Sequence, residues 1–159
     1  MKFDIIEIHE PNKKSRYAEY VLRRLPEWFG IETALNDYAR GVSSLPFWAA
    51  IDEQGDCIGF LSVKIHYGHT GDIYVCGVLP EYHKKGIGRR LFAAADEYFK
   101  KCGCKYVIVK TLSETAQYEP YERTRAFYER IGFEPLITLT EMWDEDNPCL
   151  IMIKRLKAD

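Results

Sequence analysis

Ile73-Tyr74-Val75-Cys76-Gly77-Val78-Leu79-Pro80-Glu81-Tyr82-His83-Lys84-Lys85-Gly86-Ile87-Gly88-Arg89-Arg90-Leu91 is the stretch whose reading decides the fold. A β-rich run over residues 73–78 stops at a proline. A short basic segment with two glycines follows, and a helix begins at once after Gly88. That order builds a cup of backbone N–H groups at a helix N-terminus, which suits a phosphate or diphosphate. No GxxxxGK[ST] loop is present, and no third glycine completes a dinucleotide fingerprint. A nucleotide-phosphate binder therefore fits poorly.

Working outward, apolar positions Leu91, Phe92, Ala95, Tyr98, Phe99 and Cys102 recur at helical spacing, and Gly103 closes that helix. Residues 105–112 are rich in β-branched residues and read as a strand. A polar loop over 113–120 leads to a short helix over 122–131 that ends at Gly132. Two last strands follow over 134–143 and 149–154. Towards the N-terminus, residues 3–8 alternate as a strand. A helix capped by Asn12 or Ser15 carries Tyr17, Tyr20, Val21, Leu22 and Leu25, and Pro26 stops it. A second helix over 31–40 takes Gly41 as its C-cap. Strands over 46–52 and 57–65 flank a hairpin turn at 53–56, and a turn at 67–71 leads into a strand over 72–78. The order β-α-α-β-β-β-α-β-α-β-β predicts an α/β protein with a mixed sheet and helices on its faces.

The 159 residues fit one compact domain over 1–159. At 47% hydrophobic the chain can bury a sizeable core. A net charge of -2 argues against a nucleic-acid partner. Lys84, Lys85, Arg89 and Arg90 nevertheless cluster without an intervening acid, and Glu141, Asp144, Glu145 and Asp146 gather near the C-terminus. The five cysteines show no metal spacing. His66 and His69 are too loosely placed to count as metal ligands, so no metal is expected. No leader peptide or membrane-length apolar run is evident. A cytoplasmic protein with no membrane partner is the simplest expectation.

The strand followed by His83-Lys84-Lys85-Gly86-Ile87-Gly88 and a helix resembles the acetyl-CoA site of the GCN5-related N-acetyltransferase (GNAT) family. The family form is Gln/Arg-x-x-Gly-x-Gly/Ala, so His83 departs from the first position. Downstream, Arg125-Ala126-Phe127-Tyr128-Glu129-Arg130-Ile131-Gly132-Phe133 looks like the family's second CoA-side motif, which ends in Tyr-x-x-x-Gly-Phe. Tyr121 stands where that motif often has Asn. The resemblance covers residues 46–154 and, more loosely, the N-terminal helices.

The resemblance implies acetyl-CoA as cosubstrate. Backbone groups of His83, Lys84, Lys85, Gly86, Ile87, Gly88 and Arg89 would hold its diphosphate, and the basic side chains would add attraction. Backbone groups of Cys76, Gly77 and Val78 would pair with the pantetheine arm. Acetyl transfer to an amine requires removing a proton, polarising the carbonyl and stabilising the leaving thiolate. Presenting a lysine-like amine neutral at pH 7 costs roughly 4–5 kcal/mol. Asp72, six residues before Val78, resembles the placement of the catalytic glutamate in the histone-acetylating branch and is the candidate base, directly or through water. Glu81 is a second candidate. Tyr128 is the candidate acid towards the CoA sulfur, because a phenol can donate without being charged.

The acceptor, a small-molecule or peptide amine, is expected against Trp28, Phe29, Tyr38 and Trp143, with Glu141 or Asp144 attracting its charge. The expected activity is acetyl-CoA-dependent N-acetyl transfer to a primary amine. The alternative is a non-catalytic acyl-CoA-binding or sensor domain on the same fold. A homodimer is compatible with either.

Overall fold

The structure is a computed structural model, and residues 1–157 are described. Eleven principal elements follow the expected order: β1 (Phe3–Glu7), α1 (Pro11–Arg23), α2 (Glu32–Gly41), β2 (Phe47–Asp52), β3 (Cys57–His66), β4 (Thr70–Val78), α3 (Ile87–Lys101), β5 (Tyr106–Leu112), α4 (Glu119–Arg130), β6 (Glu134–Asp144) and β7 (Asn147–Arg155). The strands form a mixed seven-stranded sheet in the order β1-β2-β3-β4-β5-β7-β6. The chain divides into two compact units, with β3 and β4 each contributing residues to both.

The first unit comprises Met1–Lys64 and Tyr74–Phe99. Here β2 pairs antiparallel with both β1 and β3. Phe47 and Phe60 stack with centroids 5.2 Å apart, and both are fully buried. Val21 and Leu22 of α1 and Ile87, Leu91 and Phe99 of α3 join this core. The helix α1 lies close over β4: a Cβ added at Gly77 would come within 3.2 Å of Val21 on α1 and 2.8 Å of Leu25 just after it. Gly77 therefore serves packing whatever its backbone binds.

The second unit comprises Ile65–Ile73 and the described residues from Lys100 onward. There β4 runs parallel to β5 over Thr70–Ile73, while β5 and β6 both pair antiparallel with β7. Val107, Val109, Phe133, Cys149 and Met152 are buried. Arg125 is also buried and donates to the Leu112 carbonyl at 2.6 Å, tying α4 to the end of β5. The strand β6 is exposed along nearly its whole length.

Three boundaries differ from the sequence reading. The helix α1 begins at Pro11, after Glu10, and neither Asn12 nor Ser15 caps it. Similarly, α4 begins at Glu119 with Pro120 in its first turn, so the expected polar loop is shorter. Proline is favoured in a first turn because its φ suits a helix and its missing N–H would have no intrahelical acceptor. Gly41 is helical, with φ -61°, and the chain continues into a 3-10 turn over Val42–Ser44. A Cβ at Gly41 would collide with the Tyr74 hydroxyl, so close approach, and not a left-handed cap, calls for glycine there. Tyr20 is exposed and lies off the apolar face assigned to it.

Candidate active site

In the first unit, β4 ends at Val78 and passes through a 3-10 turn, Pro80–Tyr82, before α3. Lys84 has φ +63° and Gly86 has φ +83°, so left-handed residues alternate along this loop. Gly86 accepts the first helical bond, from Arg90 N–H at 3.1 Å, which starts α3 at Ile87 and puts Gly88 inside the first turn. The N–H groups of Ile87, Gly88 and Arg89 therefore have no carbonyl ahead of them within the helix. Alternating backbone handedness at such a terminus makes an anion-binding concavity. Nothing lies within 4 Å of a Cβ built on Gly86, so it faces open space.

The family-deviant His83 fastens this loop. Its Nε2–H donates to the Val78 carbonyl at 2.7 Å, which fixes the proton on Nε2 because a carbonyl can only accept. Trp28 meets the His83 ring edge-on at 6.0 Å. Lys84, Lys85 and Arg89 are exposed. Arg90 is committed to β1: its guanidinium stacks 4.5 Å from the Phe3 ring and donates to the Phe3 carbonyl. Phe29, Tyr38 and Tyr74 form a run of edge-on aromatic contacts with centroids 6.0 and 5.3 Å apart. Lys64 Nζ sits 4.4 Å over Tyr74. Burial, and secondarily Asp37, raises the Tyr74 phenol above its ordinary value. Trp28 is thus joined to the His83 loop, and Phe29 to Tyr38. Cys76 and Val78 are half-buried at the end of β4.

In the second unit, Asp72 is only 3% exposed. Its Oδ2 accepts from His66 Nε2–H at 2.7 Å and from Lys110 Nζ at 3.1 Å. Its Oδ1 is buried and has no hydrogen-bond partner among the described residues. The turn at Tyr67 and Gly68, with φ +55° and +70°, returns the chain so that His66 reaches Asp72. Sequence reading set His66 aside by asking only about metals. A histidine and an aspartate on either side of a tight turn is the signal that would have found the pair.

Tyr128 lies on α4 with its ring packed edge-on against Phe133 at 5.8 Å. Its carbonyl accepts from the Phe133 N–H at 3.0 Å, closing the helix through the left-handed Gly132. Of the expected acceptor residues in this unit, Glu141, Trp143 and Asp144 lie on exposed β6. Glu81, the second base candidate, is exposed in the loop of the first unit.

The Acetyltransferase (GNAT) family model matches residues 4–133. A mycothiol acetyltransferase from Arthrobacter sp. (strain FB24) is 34% identical over 107 residues, covering 63% of this chain. The chain spans 28% of that relative's length. A GNAT-family structure from Desulfovibrio desulfuricans superposes with a TM-score of 0.82 at 19% identity, covering 98% of this chain and 100% of the other. An aminoglycoside 6'-N-acetyltransferase complexed with coenzyme A gives 0.76 at 19% identity, covering 100% and 99%. At these identities the structural matches speak to the fold. Among the described residues no helix is long and apolar enough to cross a membrane.

Proposed function

The chain belongs to the GNAT acetyltransferase family, and on that premise we propose that it transfers the acetyl group of acetyl-CoA to a primary amine. The observation that carries the reading is the Lys84–Arg89 loop, whose left-handed residues and helix terminus suit a diphosphate. The exposed Lys84, Lys85 and Arg89 add attraction, screened by salt. The backbone of Cys76, Gly77 and Val78 lies beyond the Thr70–Ile73 pairing with β5 and is assigned to the pantetheine arm. His83 occupies only one lone pair of the Val78 carbonyl, so the other can accept from the ligand.

In the reaction the amine nitrogen forms a bond to the acetyl carbon, and the bond from that carbon to the CoA sulfur breaks. The amine proton passes to the Asp72 centre, directly or through water. Tyr128 gives a proton to the departing thiolate. The acceptor is a small-molecule or peptide amine. Mycothiol and aminoglycoside acetyltransferases among the similar proteins make amine-bearing small molecules the first to try.

The test is release of free CoA thiol from acetyl-CoA in the presence of an aminoglycoside, spermidine, free lysine or a lysine-containing peptide. Turnover with at least one amine is expected. Tight CoA binding with no turnover on any of them would mark the chain as a binding domain.

A further inference from the structure

We propose that His66, and not Asp72, is the group that takes the amine proton, with Asp72 acting as its positioning residue. The proposal rests on the acetyl-transfer reading above and names the base within it. Neither oxygen of Asp72 is open to a substrate. Oδ2 is shared between His66 and Lys110, and Oδ1 is buried. An acceptor amine cannot reach Oδ2 without displacing one of those bonds, nor Oδ1 without opening the packing that buries it. The His66 side chain, by contrast, is 44% exposed while still 2.7 Å from the carboxylate.

The hydrogen bonding fixes which nitrogen is available. An ionised carboxylate only accepts, so Nε2 carries the proton and Nδ1 carries the lone pair. Asp72 therefore holds the ring in one tautomer and orientation, and its charge stabilises the imidazolium that forms. The same logic governs a carboxylate behind a catalytic histidine elsewhere. Lys110 completes the arrangement from β5. Its ammonium, 3.1 Å from Oδ2, balances the buried carboxylate while the imidazole is neutral. The proton account closes. The neutral amine loses one proton to Nδ1 as its nitrogen attacks, His66 becomes cationic against Asp72, and after product leaves His66 gives that proton to solvent while the Tyr128 phenolate regains one from it.

The experiment compares His66→Ala, His66→Gln and Asp72→Asn with the wild-type chain, using whichever amine of the panel turns over fastest. His66→Ala should lower turnover by about 10²–10⁴-fold while CoA affinity is unchanged. Added imidazole should restore part of that turnover to His66→Ala, but none to Asp72→Asn, whose ring is present and misheld. His66→Gln, which fills the space without a base, should be as slow as His66→Ala. Nitrogen-15 spectra of the wild-type chain should show neutral His66 protonated at Nε2, and Asp72→Asn should lose that preference.

Wild-type turnover in His66→Ala alongside a dead Asp72→Asn would make Asp72 the base. That result overturns this proposal and leaves the acetyl-transfer reading intact. A proton on Nδ1 of wild-type His66 would also overturn it. A wild-type chain that turns over no amine would end both readings.

Discussion

The candidate residues in the two units are built into different kinds of arrangement. In the first unit the proposed anion cup is made of backbone: a left-handed Lys84, a left-handed Gly86 and the opening turn of α3. Lys84, Lys85 and Arg89 are exposed, and His83 holds the loop by bonding a main-chain carbonyl. In the second unit the polar centre is made of side chains. His66, Asp72 and Lys110 come from β3, β4 and β5 and meet at one carboxylate oxygen. A backbone site binds what it binds almost regardless of neighbouring side chains, whereas a side-chain site changes chemistry with one substitution. The first arrangement suits a cosubstrate shared across a family. The second suits the step that differs with the acceptor.

That contrast can be broken by experiment, starting with the largest effect. Tyr128→Phe removes a hydroxyl and keeps the ring that packs on Phe133, so turnover should fall by about 10²-fold or more with CoA affinity nearly unchanged. Steady-state rates beside calorimetric CoA titration decide it, and unchanged turnover would remove Tyr128 as the acid. Gly86→Glu should do the reverse and weaken CoA binding by on the order of 100-fold. At φ +83° a side chain costs about 1–3 kcal/mol, which depopulates the binding-competent loop, and the new charge repels phosphate. Wild-type affinity in that variant would put the ligand elsewhere.

A third variant, Lys110→Met, should reduce unfolding stability by about 2 kcal/mol, because it strips a charged hydrogen bond from the buried Asp72. In an Asp72→Asn background the same change should cost clearly less, as coupled partners do. Urea denaturation of the four chains gives the coupling, and simple additivity would mean that the ion pair does not contribute.

The remaining effect concerns a buried thiol of the first unit and appears only at alkaline pH. Burial pushes the Cys57 thiol from 9.0 up to about 12. Between those values the unfolded chain has released a proton that the folded chain keeps. Stability therefore falls as pH rises through that window, by up to about 1.4 kcal/mol per pH unit from this group. Cys57→Ala should flatten the alkaline loss relative to the wild type. Equal slopes would show that the thiol is not held neutral.

Much of the fold was legible because its signals are local. Helical spacing from Leu91 to Phe99, alternation in the N-terminal strand and β-branched residues around Val107 each report on a few neighbouring positions. The errors also have a common physical origin. Pro11 and Pro120 open helices, and a reading that treats proline as a stop starts each helix late. Gly41 looked like a cap because glycine often is one, but its reason is a tyrosine 33 residues away in sequence. Arg90 clusters in sequence with Lys84, Lys85 and Arg89, yet it stacks on Phe3.

By itself the sequence determined the order of elements and the strand-to-helix junction at Gly86 and Gly88, since glycine placement and such a junction are properties of adjacent residues. The resemblance to the family's motifs, in turn, pointed to Asp72 and Tyr128 as candidates. Only the tertiary structure decided what surrounds Asp72. Lys110 stands 38 positions away and arrives through the parallel pairing of β4 with β5, and His66 arrives through a turn that needs two left-handed residues. Those meetings depend on strand register and burial, which no local pattern encodes.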